Sequence, residues 1–176
     1  SPVDIRNFWP AVSSAVRREL NTFSTLEAFI LADKGDVRNV VTSRWVMRFK
    51  LIDGIKSVKA RLTVKGFMDK QQGTYDTFAG TATRWAQKLL LIICVQRGWR
   101  LLSLDVTSAF LQGMTFEQLS ELTGTPLRRV AFTPPPGYET FIRELPGMQD
   151  YDGSRHVLLM TKPIYGLKDA PRAWRV

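Results

Sequence analysis

Apolar and polar positions alternate most regularly between Arg44 and Phe67. In R-W-V-M-R-F-K-L, Trp45, Met47, Phe49 and Leu51 fall on one face of an extended chain, and Arg48 and Lys50 on the other. In K-S-V-K-A-R-L-T-V-K-G-F, Val58, Ala60, Leu62 and Val64 alternate with Lys59, Arg61, Thr63 and Lys65. Asp53-Gly54 between the two runs is a strong hairpin signal, because that pair accepts the positive φ of a tight turn. The predicted hairpin has one apolar and one basic face. It fits a flap that packs on a core and offers cations to phosphates. It fits equally an edge hairpin whose lysines discourage aggregation.

Elsewhere the spacing is mostly helical or turn-like. Ala11, Val12, Ala15, Val16 and Leu20 recur at helical intervals after Pro10, which suits a first turn, so a helix ends the leader that runs to about Asn21. Leu26 to Leu31 has strand length and is followed by the turn cluster Asp33 to Asp36. Met68 to Gly80 is polar and reads as a connection. A second helix starts at Thr81 or Thr83 and stops at Gly98, with Trp85, Leu89, Ile92, Ile93 and Gln96 in phase. Its apolar circumference predicts burial on more than one side. Arg100 to Val106 alternates as a strand that places Asp105 opposite Leu104 and Val106, and T-S-A-F-L-Q-G then allows one or two helical turns closed by Gly113. Thr115 and Gln118 fit a capping box. Arg128 to Phe132 and Arg155 to Thr161 read as strands, Pro134 to Gly137 as a stiff loop and Leu145 to Gly153 as a looser one. Gly166 marks a turn, and Asp169 and Pro171 open a helix. These elements predict an α+β fold in which helices back a sheet.

Composition narrows the chemistry. The 176 residues carry 25 Lys+Arg against 16 Asp+Glu, a net charge of +9, which favours a polyanionic partner, nucleic acid first and an acidic membrane surface as the alternative. Cys94 and His156 are the sole residues of their kinds, so internal disulfides and Cys/His zinc sites are excluded. No apolar run reaches the roughly 18 residues of a membrane span. With no initiator Met, the chain is expected to be a piece cut from a longer one. Asp105, at the end of its strand and before a tight reversal, suits a metal-binding carboxylate. It suits equally an aspartate that caps the turn.

Three blocks in this order resemble one family: K-A-R-L-T-V-K-G-F (Lys59 to Phe67), S-L-D-V-T-S-A-F-L-Q-G (Ser103 to Gly113) and I-Y-G-L-K-D-A-P-R-A-W (Ile164 to Trp174). They are similar to the reverse transcriptase domain of copia-type LTR retrotransposon Pol polyproteins. Weaker agreement extends upstream through R-W-V-M-R-F-K and D-T-F-A-G-T-A-T-R, so the resemblance covers most of the chain from about Trp9. Where the family has E-T-F-S-P-V-A-R this chain differs, over Asp76 to Arg84. It reads Val64-Lys65-Gly66 for A-K-G and is longer than usual over Thr115 to Pro126.

The resemblance implies fingers and a partial palm of a right-hand polymerase, with an antiparallel sheet backed by helices. Residues from about 9 to 98 would be mainly fingers, and those from about 99 to 176 an incomplete palm with a fingers-type insertion. It implies RNA- or DNA-templated DNA synthesis, a nucleotidyltransferase reaction with two Mg2+ ions bound in the complete protein. Asp105 matches the first metal-binding aspartate, with the Val106 carbonyl as a further ligand. Arg61 matches the triphosphate clamp, assisted by Lys65 or Lys50. Phe110 matches the gate that rejects a 2′ hydroxyl. Gly166 to Pro171 matches the segment lying against the nascent base pair and template, Tyr165 and Gly166 are implied in nucleotide binding, and Lys59, Lys168 and Arg172 would meet nucleic acid. Implied partners are a template-primer, deoxynucleoside triphosphates and the rest of the polyprotein: downstream palm and thumb, with integrase and RNase H as candidates. The expected setting is intracellular, without membrane, in cytoplasm or nucleus. The paired aspartates that complete the site would lie beyond Val176, so these residues alone are expected not to polymerise. The alternatives are a non-catalytic nucleic-acid-binding remnant of a decayed element and an unrelated basic binding module.

Overall fold

The computed structural model of the chain describes residues 6–52 and 54–175; Asp53 of the expected hairpin turn lies outside them. Helix α1 (Trp9–Thr25) begins with proline in its first turn and buries Val12, Ala15, Val16 and Leu20 of the predicted stripe, with Ala11 half-buried; it runs a turn further than expected and adds Phe23. Strand β1 (Phe29–Asp33) follows. Then comes the long hairpin of β2 (Val40–Ile52) and β3 (Ile55–Val64), with Trp45 opposite Leu62, Met47 opposite Ala60 and Phe49 opposite Val58. Arg61 lies opposite Val46 and Lys59 opposite Arg48, so the basic residues share the other face, as the alternation requires.

Strands β4 (Ala131–Thr133) and β5 (His156–Met160) complete a five-stranded sheet in the order β1-β5-β4-β2-β3. The sheet is mixed. Pairing is antiparallel except between β2 and β4, where Val40, Val41 and Thr42 run parallel to Ala131, Phe132 and Thr133. A fully antiparallel sheet is thus corrected at one join. Short α4 (Glu139–Arg143) makes the return from β4 to β5, and α5 (Ala170–Arg175) closes the chain; these labels leave α2 (Arg84–Arg97) and α3 (Phe116–Thr123) between β3 and β4. The core lies between α1 and the sheet, where Val16, Phe23, Val41, Leu62, Phe132, Leu158 and Ile164 are fully enclosed.

Local signals set the helix ends. Thr83 accepts the Ala86 N–H at the start of α2, and Gly98 closes it in the left-handed region at φ 63°. Thr115 and Gln118 form the predicted capping box of α3.

Two expectations fail in the same stretch. Helix α2 buries only Cys94, leaving Trp85, Leu89, Ile92 and Val95 exposed, and the strand expected from Arg100 to Val106 does not form. Leu102 and Leu104 are more than 80% exposed. A strand becomes one only when a neighbour takes its N–H and C=O groups, and none of the five strands reaches this segment. The strand expected from Arg128 also begins later, at Ala131, and runs through Thr133 to the prolines.

Candidate functional site

The three motif blocks, distant in sequence, meet in space through glycines. A Cβ on Gly66 would collide with the carbonyl of Gly166, and one on Gly166, at φ +102°, with the carbonyl of Val64. Backbone therefore crosses backbone where only glycine leaves room. The Val64 N–H donates to the Tyr165 carbonyl at 2.9 Å, fixing the crossing. Gly113 makes a similar approach, 2.9 Å from its would-be Cβ to the Ala173 carbonyl, and the Met114 N–H donates to that same oxygen. The block ending at Trp174 thus holds both of the others.

Between them lies a cavity of about 320 Å³ lined by Lys59, Arg61, Asp105, Val106, Phe110 and Tyr165, with Glu19 and the Thr107–Ala109 turn completing its wall. The Arg61 guanidinium sits 5.1 Å from the centroid of the Tyr165 ring, and Phe110 packs on the same ring at 5.7 Å. The Tyr165 ring thus meets both the cation and the Phe110 ring, and Arg61 itself is exposed. Burial raises the Tyr165 phenol above its ordinary pKa, opposed by a hydrogen bond with Ser108 and the charge of Arg61. The chain turns into the short 3-10 segment Ala109–Gln112 through Ser108, a non-glycine residue at φ 54°. Such a conformation costs about 1–3 kcal/mol and persists only where surrounding contacts enforce it. It swings Phe110 back under Tyr165 while Asp105 stays exposed on the cavity wall.

The structure therefore brings Arg61, Lys59, Asp105, Val106, Phe110 and Tyr165 together. It does not bring Lys50, Lys65, Gly166, Lys168 or Arg172 to the cavity wall. Lys50 lies towards the hairpin tip opposite Ser57. Arg172 donates to the Asp76 carbonyl at 3.0 Å. Gly166 acts through the backbone crossing. Among the described residues no group of three or more His, Cys, Asp and Glu side chains could hold a metal ion. Asp105 and the Val106 carbonyl supply oxygen donors of the kind magnesium prefers, but too few for an ion site of their own.

Sequence reasoning missed two features. Glu19 reaches the cavity from α1, where helical spacing singled out only the apolar positions. The second is a buried hub: Arg128 pairs with both Asp69 and Asp169, and its guanidinium lies 3.6 Å from the Tyr75 ring centroid. Asp169 therefore serves Arg128, although its position before α5 reads as a cap. Asp69 also accepts from Asn39 (2.8 Å), the Gln71 N–H (2.9 Å) and the Tyr75 hydroxyl (2.8 Å). Burial raises both carboxyls. In Asp69 these donors and Arg128 outweigh burial and the pKa is lowered, whereas in Asp169 burial prevails and it is raised. No local pattern marks the hub, because its members are spread from residue 39 to residue 169.

The family model for reverse transcriptase (RNA-dependent DNA polymerase) matches residues 26–125, more than half of the chain. The chain belongs to that family. It is 31% identical over 140 residues to the retrovirus-related Pol polyproteins from transposons RE2 and RE1 of Arabidopsis thaliana, covering 78% of this chain and 8% of each of them. It is 26% identical over 164 residues to the retrovirus-related Pol polyprotein from transposon TNT 1-94 of Nicotiana tabacum, covering 91% of this chain and 11% of that one. The chain thus spans about a tenth of the length of these curated relatives. No solved structure matches it. Among the described residues no helix is long and apolar enough to cross a membrane.

Proposed function

We propose that this chain is the nucleotide-binding part of a copia-type reverse transcriptase, comprising its fingers and the start of its palm. The observation that carries the reading is the convergence of three remote blocks on one cavity, with a cation, a carboxylate and a tilted aromatic pair on its wall. Arg61 and Lys59 are suited to the phosphates of an incoming nucleotide, since guanidinium groups bind phosphate oxygens through paired hydrogen bonds. Phe110, held by Tyr165, is placed to crowd the sugar, a steric test that needs no hydrogen bond. Asp105 would contribute one carboxylate to a pair of Mg2+ ions, with further acids coming from elsewhere in a longer protein.

Residues from about 9 to 98 form the fingers in this reading, and β4 and β5, which join the sheet of β1 to β3, are the fingers-type insertion within 99–176. The apolar residues left exposed on α2 and from Leu101 to Val106 would be covered by the rest of the palm. Template-primer and deoxynucleoside triphosphates are the proposed substrates. The +9 charge supports the first, whose binding should weaken steeply with salt.

The test is magnesium-dependent incorporation of deoxynucleotides on a primed template. Residues 1–176 alone should show none, because one carboxylate does not hold two ions. A longer stretch of the parent polyprotein should incorporate nucleotide and lose this activity on Asp105→Asn. Undiminished activity in that variant would remove Asp105 from the site.

A further inference from the structure

Strand β3 is an edge of the sheet, so its outward N–H groups need partners from outside it. Val64 finds the Tyr165 carbonyl, and Leu62 donates to the Glu19 carboxylate at 3.2 Å. Arg61 lies beside them in the strand. The same bond that closes the strand edge thus fixes a negative charge beside the two cations of the cavity, Arg61 and Lys59, in the wall that all three share. Closing an edge needs only an acceptor. A carboxylate in a pocket for phosphates works against the ligand, and a neutral glutamine would serve the strand equally well.

Building on the reading of this cavity as a nucleotide site, we propose that Glu19 is a specificity-determining counter-charge that weakens the hold of Arg61 and Lys59 on polyphosphate. Asp105 on the same wall is committed to metal ions in that reading, so Glu19 is the carboxylate left to offset the two cations, which on a chain of charge +9 would otherwise hold polyanions, including the pyrophosphate that nucleotidyl transfer releases, more tightly. Because Glu19 is anchored to β3 and half-buried, it cannot swing away when the ligand arrives, and its repulsion grows with ligand charge. Burial raises its pKa, while the Leu62 N–H and the charges of Arg61 and Lys59 pull against that rise, so the measurement belongs at about pH 8, well above the ordinary carboxylate range.

The experiment titrates the full 176-residue chain with sodium tripolyphosphate and with orthophosphate by calorimetry, in EDTA. Glu19→Gln keeps the acceptor for Leu62 and removes the charge. It should tighten tripolyphosphate on the order of tenfold, and orthophosphate by less, as screened repulsion scales with ligand charge. Glu19→Asp keeps the charge and should stay near the parent affinity. Unchanged or weaker tripolyphosphate binding in a Glu19→Gln chain that melts like the parent overturns the proposal. So does tightening by Glu19→Asp to the same extent, which would trace the effect to the hydrogen bond. Arg61→Ala separates the two levels: if it leaves tripolyphosphate binding intact, the nucleotide-site reading itself fails, whatever Glu19 does.

Discussion

The backbone crossing at Gly166 can be dissected with three glycines. Gly137 has φ +84° and nothing within 4 Å of where a methyl group would sit, so Gly137→Ala tests backbone conformation alone. It should cost about 1–2 kcal/mol, the penalty of an L-residue in the left-handed region. Gly66 has no such conformation, but its Cβ would strike the Gly166 carbonyl with the Leu167 Cα only 3.2 Å away. Gly66→Ala therefore tests collision alone. Overpacking costs about 1–3 kcal/mol, and backbone neighbours that cannot rotate aside place it at the upper end. Gly166→Ala suffers both, and the sum is about 3–5 kcal/mol, a large share of the roughly 5–15 kcal/mol that holds a domain. Urea unfolding followed by far-ultraviolet circular dichroism measures all three. With a slope of about 2 kcal/mol per molar, the midpoint should fall by roughly 2 M for Gly166→Ala and under about 1 M for Gly137→Ala. Equal shifts for these two would refute the tight crossing. The motif blocks would then meet without mutual constraint.

The Arg128 hub should respond to charge removal. Arg128→Met leaves Asp69 and Asp169 buried without their cation and should cost about 3–5 kcal/mol in urea unfolding, whereas breaking the exposed, solvent-screened Arg17–Glu144 pair should change the unfolding midpoint far less. The two carboxyls should give opposite pH slopes. The folded pKa of Asp69 is lowered, so its contribution is present above the unfolded value of about 3.9 and is lost as pH falls through the folded one. The stability gap between the parent and Asp69→Asn should hold steady near neutrality and narrow in acid. For Asp169 the folded pKa is raised, so its contribution is full below the unfolded value and declines as pH rises through the folded one. The gap between the parent and Asp169→Asn should therefore narrow as pH rises; parallel slopes for the two variants would contradict the hub.

The sequence by itself determined what depends on near neighbours. Period-two alternation set the faces of β2 and β3, and so placed Arg61 and Lys59 together, because successive strand side chains can leave only on opposite sides. Spacing, proline and capping residues likewise marked α1, α2 and α3. The family resemblance of the motif blocks grouped Asp105, Phe110 and Tyr165, and the fold lines one cavity with them. Only the tertiary structure decided which strands pair. Leu102 to Val106 alternates as β3 does, yet it forms no strand, because strand formation depends on a partner that local sequence does not reveal. The same holds for Glu19 and Arg128. Each has an ordinary local setting, and each acquires its role from residues brought near by the fold, since burial and opposing charge are properties of a site and not of a sequence window.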